Sequence, residues 1–271
     1  MKLSIVIPSL NQGEFLERCL KSIETQNYPF LELVIVDGGS SDCTHQVVEK
    51  YRGLISTYVS EPDSGQSEAL NKGFSLVTGD IYGWMNADDT YLPGAFQTII
   101  KCYSEAKEAL IVFGDWLEID VDDKLIRRNF AFDFCISHLK YEGFHINSQA
   151  MFWKSECHRT FSGFNSKLKY TMDYQLLIEF GINYEYRFHR IEHPLAAFRR
   201  HPLQKTQQMT REVINEHKII AETYGFSDKY KLKGEFIRVF YRFRRVIWYI
   251  RRAGVIYMLT KAYKSFINLI L

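Results

Sequence analysis

Ile81-Tyr82-Gly83-Trp84-Met85-Asn86-Ala87-Asp88-Asp89-Thr90 is the stretch whose reading decides the fold. A short apolar run ends in two adjacent carboxylates. An isolated apolar run of this length reads as a buried strand. Asn-Ala-Asp-Asp then delivers hard oxygen ligands at its end, a set that suits Mg²⁺ or Mn²⁺ and, through them, phosphates. The competing reading is a polar turn or helix cap, because Asp and Asn are ordinary turn residues.

The sequence upstream separates the two. Leu3–Ile7 is a β-branched run that Pro8-Ser9-Leu10-Asn11 breaks. Leu16, Cys19, Leu20 and Ile23 then recur at helical spacing, with Asn11 expected as the N-cap and Glu14 three residues on. Leu31–Val36 is a second strand, closed by Asp37-Gly38-Gly39-Ser40-Ser41-Asp42, and Val47, Val48 and Tyr51 mark the next helix. Thr57–Val59 reads as a third strand. Glu61-Pro62-Asp63-Ser64-Gly65-Gln66 is its loop, and Ala69, Leu70 and Phe74 its helix. Strand, loop and helix, three times over, make a mostly parallel, Rossmann-like α/β sheet flanked by helices. In such sheets ligands lie beyond the carboxyl ends of the strands. The four polar loops therefore converge, and Asp88 and Asp89 belong to a site. None of the loops is a GxGxxG or a GxxxxGK[ST], so a dinucleotide-binding half and a P-loop NTPase are disfavoured.

The second half changes texture. Leu110–Phe113 reads as a strand, Asp115–Asp120 and Leu125–Phe130 as a hairpin, and Gln149–Trp153 as a further strand, together a small antiparallel addition. Met172, Leu176, Leu177 and Phe180 mark a helix with Asp173 in its first turn. Tyr184, Tyr186 and Phe188 alternate as a strand, Leu195–Phe198 is another, and an amphipathic helix is expected over Gln207–Tyr224.

These motifs, in this order, resemble the family 2 glycosyltransferases of the GT-A fold over about residues 3–206. The resemblance rests on Ser4–Asn11, Val36–Asp42, Glu61–Gln66 with Leu70-Asn71-Lys72-Gly73, Trp84–Asp89, Gly163-Phe164 with Met172-Asp173-Tyr174, and Phe198-Arg199-Arg200-His201. It implies inverting transfer of a sugar from a nucleotide diphosphate sugar, commonly UDP-linked, to an acceptor hydroxyl. It also implies roles. Asp37 accepts from the uracil imide, with Pro8 and Ser9 lining the base and Asn11 and Gln66 beside the donor. Asp63, Asn71 and Lys72 lie where ribose and pyrophosphate contacts are usual, and Asp88 lies near the ribose. Asp89 and His201 hold Mn²⁺ or Mg²⁺, and Asp173 is the general base. The chain departs from the family pattern at Cys43, Asn165 and Met172. The last leaves Asp173 as the only acid of its turn. The chemistry fits these residue types: a divalent cation stabilises a diphosphate leaving group, and a positioned carboxylate can take the proton of an attacking hydroxyl.

Composition agrees. The chain has 271 residues, 46% of them hydrophobic and 15% aromatic, enough for a large core. Five scattered cysteines without a CxxC pair favour a reducing compartment. Met1-Lys2 runs straight into the first strand, with no h-region of a signal peptide.

The net charge of +2 is unevenly spread: residues 233–271 carry nine Lys/Arg and one acid, which leaves −6 for residues 1–232. Phe236, Phe240, Phe243, Ile247 and Ile250 form an apolar stripe. Arg238, Arg242, Arg245 and Arg252 follow two positions later, about 200° round a helix. Such a helix is expected to lie on a membrane surface with its arginines at anionic headgroups. The alternative is packing on the acidic body or on a second subunit. Nucleic acid is a poorer partner for an acidic body without a binding motif.

The expectation is therefore a GT-A domain over 1–206 (nucleotide-sugar half 1–114, acceptor half 115–206) and a helical, basic segment over 207–271. The function is a metal-dependent glycosyltransferase of bacterial-type surface polysaccharide synthesis, acting on a glycan or lipid-linked acceptor. It would be cytoplasmic and peripheral on the inner face of the plasma membrane. The alternative is a catalytically silent nucleotide-sugar-binding scaffold.

Overall fold

A computed structural model of the chain describes residues 1–143, 146–202, 204 and 211–270, without the side chains of 233, 256 and 258–270. Four strands, β1 (Leu3–Ser9), β2 (Leu31–Asp37), β3 (Thr57–Ser60) and β4 (Ile81–Trp84), pair in parallel in the order β3-β2-β1-β4. Helices α1 (Gly13–Glu24), α2 (Thr44–Lys50) and α3 (Gln66–Leu76) connect them. After β4 come the short β5 (Thr90–Tyr91), α4 (Ala95–Glu105), the long β6 (Ile111–Ile119), β7 (Leu125–Asn129), α5 (Ile136–Tyr141), β8 (Met151–Lys154) and α6 (Ser155–Arg159). The chain continues through α7 (Met172–Tyr184), β9 (Phe188–Arg199), α8 (Arg211–Thr223) and α9 (Leu232–Ile270), which is interrupted at Gly254.

The sheet continues from β4 through β8, β6, β9 and β5. β8 runs antiparallel to both β4 and β6, β9 runs parallel to β6, and β7 forms a hairpin with β6. The sheet is therefore mixed at one end, as the texture of the second half implies. Burial on both faces explains the unbroken apolar runs. In β1, Ile5 and Ile7 pack with Leu16 and Leu20 of α1, whereas Val6 packs with Leu70 and Phe74 of α3. Each such side chain contributes roughly 1.5–3 kcal/mol by leaving water. Gly73 lets α3 approach this closely, since a Cβ there would lie 2.3 Å from Val6 Cγ1.

Three local expectations are corrected. Gln12, not Asn11, is the N-cap of α1; Asn11 has φ 51° and its side chain accepts from Ser41 N–H at 2.9 Å. Leu110–Phe113 and Asp115–Asp120 are one strand, β6, because the residues between them stay paired to β9. The strand expected over Tyr184–Phe188 does not start there. α7 runs to Tyr184, and Tyr186 is 92% exposed in a short turn, so its alternation reflects no sheet. The helix expected over Gln207–Tyr224 is described from Arg211; residues 207–210 lie outside the description. Ile220, Ala221 and Phe226 bury in the same core as Trp84 and Met151, so that core extends past the boundary expected at residue 206.

In the tail, the basic stripe takes the alternative expected for it, packing on the acidic body. Arg245 pairs with Glu142 at 2.5 Å, and Arg252 with Glu192 at 2.7 Å. Arg238 donates to the carbonyls of Tyr141 and Lys229. The arginine stripe that was expected at lipid headgroups therefore faces the body. Arg242, 3.6 Å from Glu142, is the member left largely in solvent. The body's negative charge explains this arrangement.

Candidate active site

A cavity of about 540 Å³ opens at the carboxyl ends of the parallel strands. One wall comes from their ends and loops: Pro8, Ser9, Leu10 and Gln12 at the end of β1, Asp63, Gly65 and Gln66 after β3, and Asn86 and Asp88 after β4. The other wall comes from the second half: Trp116 and Glu118 of β6, Gln149, Lys169, Tyr170, Asp173, and Phe198 with Arg200 at the end of β9.

The two adjacent carboxylates take opposite places. Asp88 lines the cavity, and its Oδ2 lies 2.9 Å from His201 Nε2. Asp89 is fully buried; its oxygens accept from Arg199 N–H at 2.8 Å and Asn86 Nδ2 at 3.2 Å. Burial and the Asp88 charge push the Asp89 carboxyl well above its usual range. Asp89, expected at the metal, is thus turned away from the cavity, and Asp88, expected near the ribose, faces it. Arg199 ties the turn together, donating through Nε to the Asp88 carbonyl at 2.9 Å and pairing with Asp123 at 2.6 Å. His201 packs on Phe15 and is 4% exposed, and its Nδ1 has no hydrogen-bond partner among the described residues. His201 itself is not on the cavity lining, but with Asp88 it offers a carboxylate oxygen and an imidazole nitrogen, a donor set that suits Mn²⁺ or Mg²⁺ whose other ligands are phosphate oxygens.

Asp37 does not reach the cavity lining. It is fully buried and accepts from Ser40 N–H and Oγ, from Ser60 Oγ at 2.6 Å and from Tyr58 OH at 3.3 Å. Those bonds fix the loop that carries Gly38. A Cβ at Gly38 would lie 3.0 Å from Asp63 Oδ2, so the glycine admits Asp63 to the wall. Asn71 also stays off the lining. Its side chain brackets Phe164, donating to the Phe164 carbonyl at 2.7 Å and accepting its N–H at 2.8 Å. Lys72 pairs with Glu61 at 2.5 Å, and Asn11 is spent on Ser41. Pro8, Ser9, Asp63, Gln66, Asp88 and Asp173 do line the cavity; Gln66 donates to Asn86 Oδ1 at 2.8 Å.

Asp173 stands in the first turn of α7, half-buried, and accepts from the Tyr174 N–H at 2.8 Å. Desolvation raises its pKa to about 6 despite that bond. The loop before it is fastened by Glu216 of α8, whose carboxylate accepts from the backbone N–H groups of Lys169, Tyr170 and Thr171 and from Thr171 Oγ1. Beside it, Glu118 is buried among Arg127, Arg200 and Asn129. Burial alone would raise its pKa, but the two guanidinium groups hold it below its usual range.

Glu118, Arg200 and Glu216 carried no assigned role in the sequence. Trp116 and Glu118 are on one face of β6, which alternation could have exposed; Glu216 has no local signal at all.

Comparison with known proteins places this geometry. The family model "Glycosyl transferase family 2" matches residues 4–170. Glycosyltransferase GlyG of Streptococcus pneumoniae serotype 4 is 28% identical over 160 residues, which are 56% of this chain and 51% of that one. Chondroitin synthase of Pasteurella multocida is 26% identical over 65% of this chain and only 18% of its own length. The chain thus spans about half or less of these curated relatives. Among solved structures, S. aureus TarS 1–349 in complex with UDP-GlcNAc superposes with a TM-score of 0.65 at 18% identity, covering 89% of this chain and 79% of that one. Glucosyl-3-phosphoglycerate synthase of Mycobacterium tuberculosis, solved with Mn²⁺, UDP and product, gives 0.57 at 18% identity over 81% and 79%. A mannosyltransferase of Pyrobaculum calidifontis, solved with GDP-Man and Mn²⁺, gives 0.60 at 14% over 99% and 80%. At these identities the likeness is one of fold.

Proposed function

The chain belongs to glycosyl transferase family 2, and from that premise we propose that it is an inverting, metal-dependent enzyme. It moves a sugar from a nucleotide diphosphate sugar, UDP-linked, to a hydroxyl of a glycan or lipid-linked acceptor in surface polysaccharide synthesis. Relatives named as chondroitin and hyaluronan synthases support the polysaccharide class. TarS and glucosyl-3-phosphoglycerate synthase, solved with UDP or its sugar, support the donor. The observation that carries the reading is that one cavity is lined both by Asp88 from the β4 end and by Asp173 from the start of α7.

Pro8, Ser9 and Asp63 form the donor wall. Asp88 and His201 hold Mn²⁺ or Mg²⁺, which when bound stabilises the charge growing on the diphosphate. Asp173 accepts the proton of the acceptor hydroxyl as that oxygen bonds the anomeric carbon. The bond to the diphosphate oxygen breaks on the opposite face. One displacement inverts the anomeric centre, and no enzyme nucleophile is needed. A pKa near 6 keeps Asp173 ionised at neutral pH yet more basic than an ordinary carboxylate. Trp116 and Phe198 line the acceptor side of the cavity. The enzyme works at the cytoplasmic face of the plasma membrane, where such acceptors are built.

The test is release of UDP from a panel of UDP-sugars with Mn²⁺, with GDP- and dTDP-sugars alongside. Turnover of one UDP-sugar supports the reading. Failure to turn over any nucleotide sugar overturns it.

A further inference from the structure

Among the described residues no helix is long and apolar enough to cross a membrane. Yet α9 presents an apolar face to solvent: Phe236 is 70% exposed, Val239 62%, Phe240 56%, Phe243 63% and Ile250 39%. These positions share one side of the helix at i, i+3, i+4, i+7 and i+14 spacing. Arg244 and Arg251 border the same side and are exposed. The opposite side is engaged by the body through Arg238, Arg245 and Arg252, with Tyr249 OH donating to the Phe130 carbonyl at 3.3 Å and Trp248 against Phe132. The charge that a free amphipathic helix would offer to lipid is thus partly spent in holding the helix, and its apolar side is left open. A contiguous run of exposed large apolar side chains marks an interaction surface.

We propose that this outward face docks on an anionic lipid bilayer, with the arginine side acting as the clamp that fixes the enzyme's orientation. The inference takes its purpose from the lipid-linked acceptor read above and sharpens it. The clamp bonds Asp115 and Glu192, which lie on β6 and β9, the strands that supply Trp116 and Phe198 to the cavity. The helix, about 10 Å across, then sets the height of the acceptor wall above the lipid plane. Charge favours lipid over a second copy. A two-fold interface puts the same patch on both partners, so Arg244 and Arg251 would meet their own kind, whereas anionic headgroups neutralise them.

The experiment is co-sedimentation of the full chain with phosphatidylcholine vesicles, with and without phosphatidylglycerol, beside a light-scattering mass in solution. Wild type is expected to sediment with the anionic vesicles and weakly with the neutral ones. Phe240→Ser with Phe243→Ser abolishes sedimentation, and Arg244→Gln with Arg251→Gln lowers it roughly tenfold or more. Both variants keep wild-type nucleotide-sugar binding in vesicle-free buffer, which separates this proposal from the enzymatic one. Absence of sedimentation, equal binding to both lipids, or a dimer that the Phe240→Ser/Phe243→Ser variant dissociates would each overturn it.

Discussion

His201 Nε2 lies 2.9 Å from Asp88 Oδ2, joining the end of β9 to the end of β4 across the cavity edge. Asp89, one residue on, is turned into the interior and bonded to the Arg199 N–H. On the proposed function, Asp88 with His201 holds the cation. Asp88→Asn and His201→Ala should each raise the Mn²⁺ concentration for half-maximal activity by roughly 10–100-fold, the scale on which lost or disturbed ligands act. Asp89→Asn keeps an oxygen for Arg199 and should shift the Mn²⁺ requirement far less. A Mn²⁺ titration of the three variants checks this.

Asp173 titrates near 6 because desolvation outweighs its bond from Tyr174. A base must be ionised, so kcat/KM should fall about tenfold per pH unit below about 6. Asp173→Asn should lose roughly 10²–10⁴-fold in turnover and keep donor affinity. The same shift has a stability sign. The folded chain holds this proton more tightly than the unfolded one, so stability declines as pH rises from about 4 to about 6. Above that, Asp173→Asn should be more stable than wild type by about 1–3 kcal/mol, read from denaturant melts at pH 8.

Glu216 fastens the loop that presents Asp173 through three backbone N–H groups and one hydroxyl. Glu216→Ala leaves those donors buried and unpaired. It should cost about 2–4 kcal/mol of stability. At a temperature where the variant remains folded, it should lower kcat more than it raises the donor KM. Thr171→Ala, which removes one donor only, should show the same pattern in milder form.

These cases mark what was legible in the sequence. Strands β1, β2 and β4 were, because a run buried on both faces must be apolar and its loops must fall at one end. The alternation of Tyr184, Tyr186 and Phe188 misled, because α7 ends within it and period two over three residues cannot outvote a packed helix. Which of Asp88 and Asp89 faces the cavity was not legible: adjacent residues in a turn point apart, and the turn is set by Arg199 from a distant strand. The two stripes of α9 were legible as stripes, but not which of them the body would take. That depended on Glu142, Asp115 and Glu192, residues separated from the tail by long stretches of chain.

Glu32 tests the other end of the sheet. Burial opposes its ionisation, but hydrogen bonds from Lys2, Ser4 and Thr78 lower its pKa to about 2. An acid with a depressed folded pKa stabilises the protein above its unfolded value and loses that contribution as pH falls. Glu32→Gln should therefore cost about 1–3 kcal/mol at pH 7, and most of that cost should be gone near pH 2, where the unfolded state carries the proton and the folded state carries it about half the time. Denaturant melts across that range check it.

The most direct test of the central claim separates binding from transfer at Asp88 and Asp173, the two carboxylates brought to the cavity from its two halves. Donor affinity and sugar transfer would be measured with Mn²⁺ for wild type, Asp88→Asn and Asp173→Asn on the UDP-sugar that wild type turns over. The account predicts that Asp88→Asn loses metal-dependent binding, whereas Asp173→Asn binds as wild type does and transfers almost nothing. An Asp173→Asn variant that transfers at the wild-type rate, or an Asp88→Asn variant whose binding keeps its full response to Mn²⁺, would contradict it.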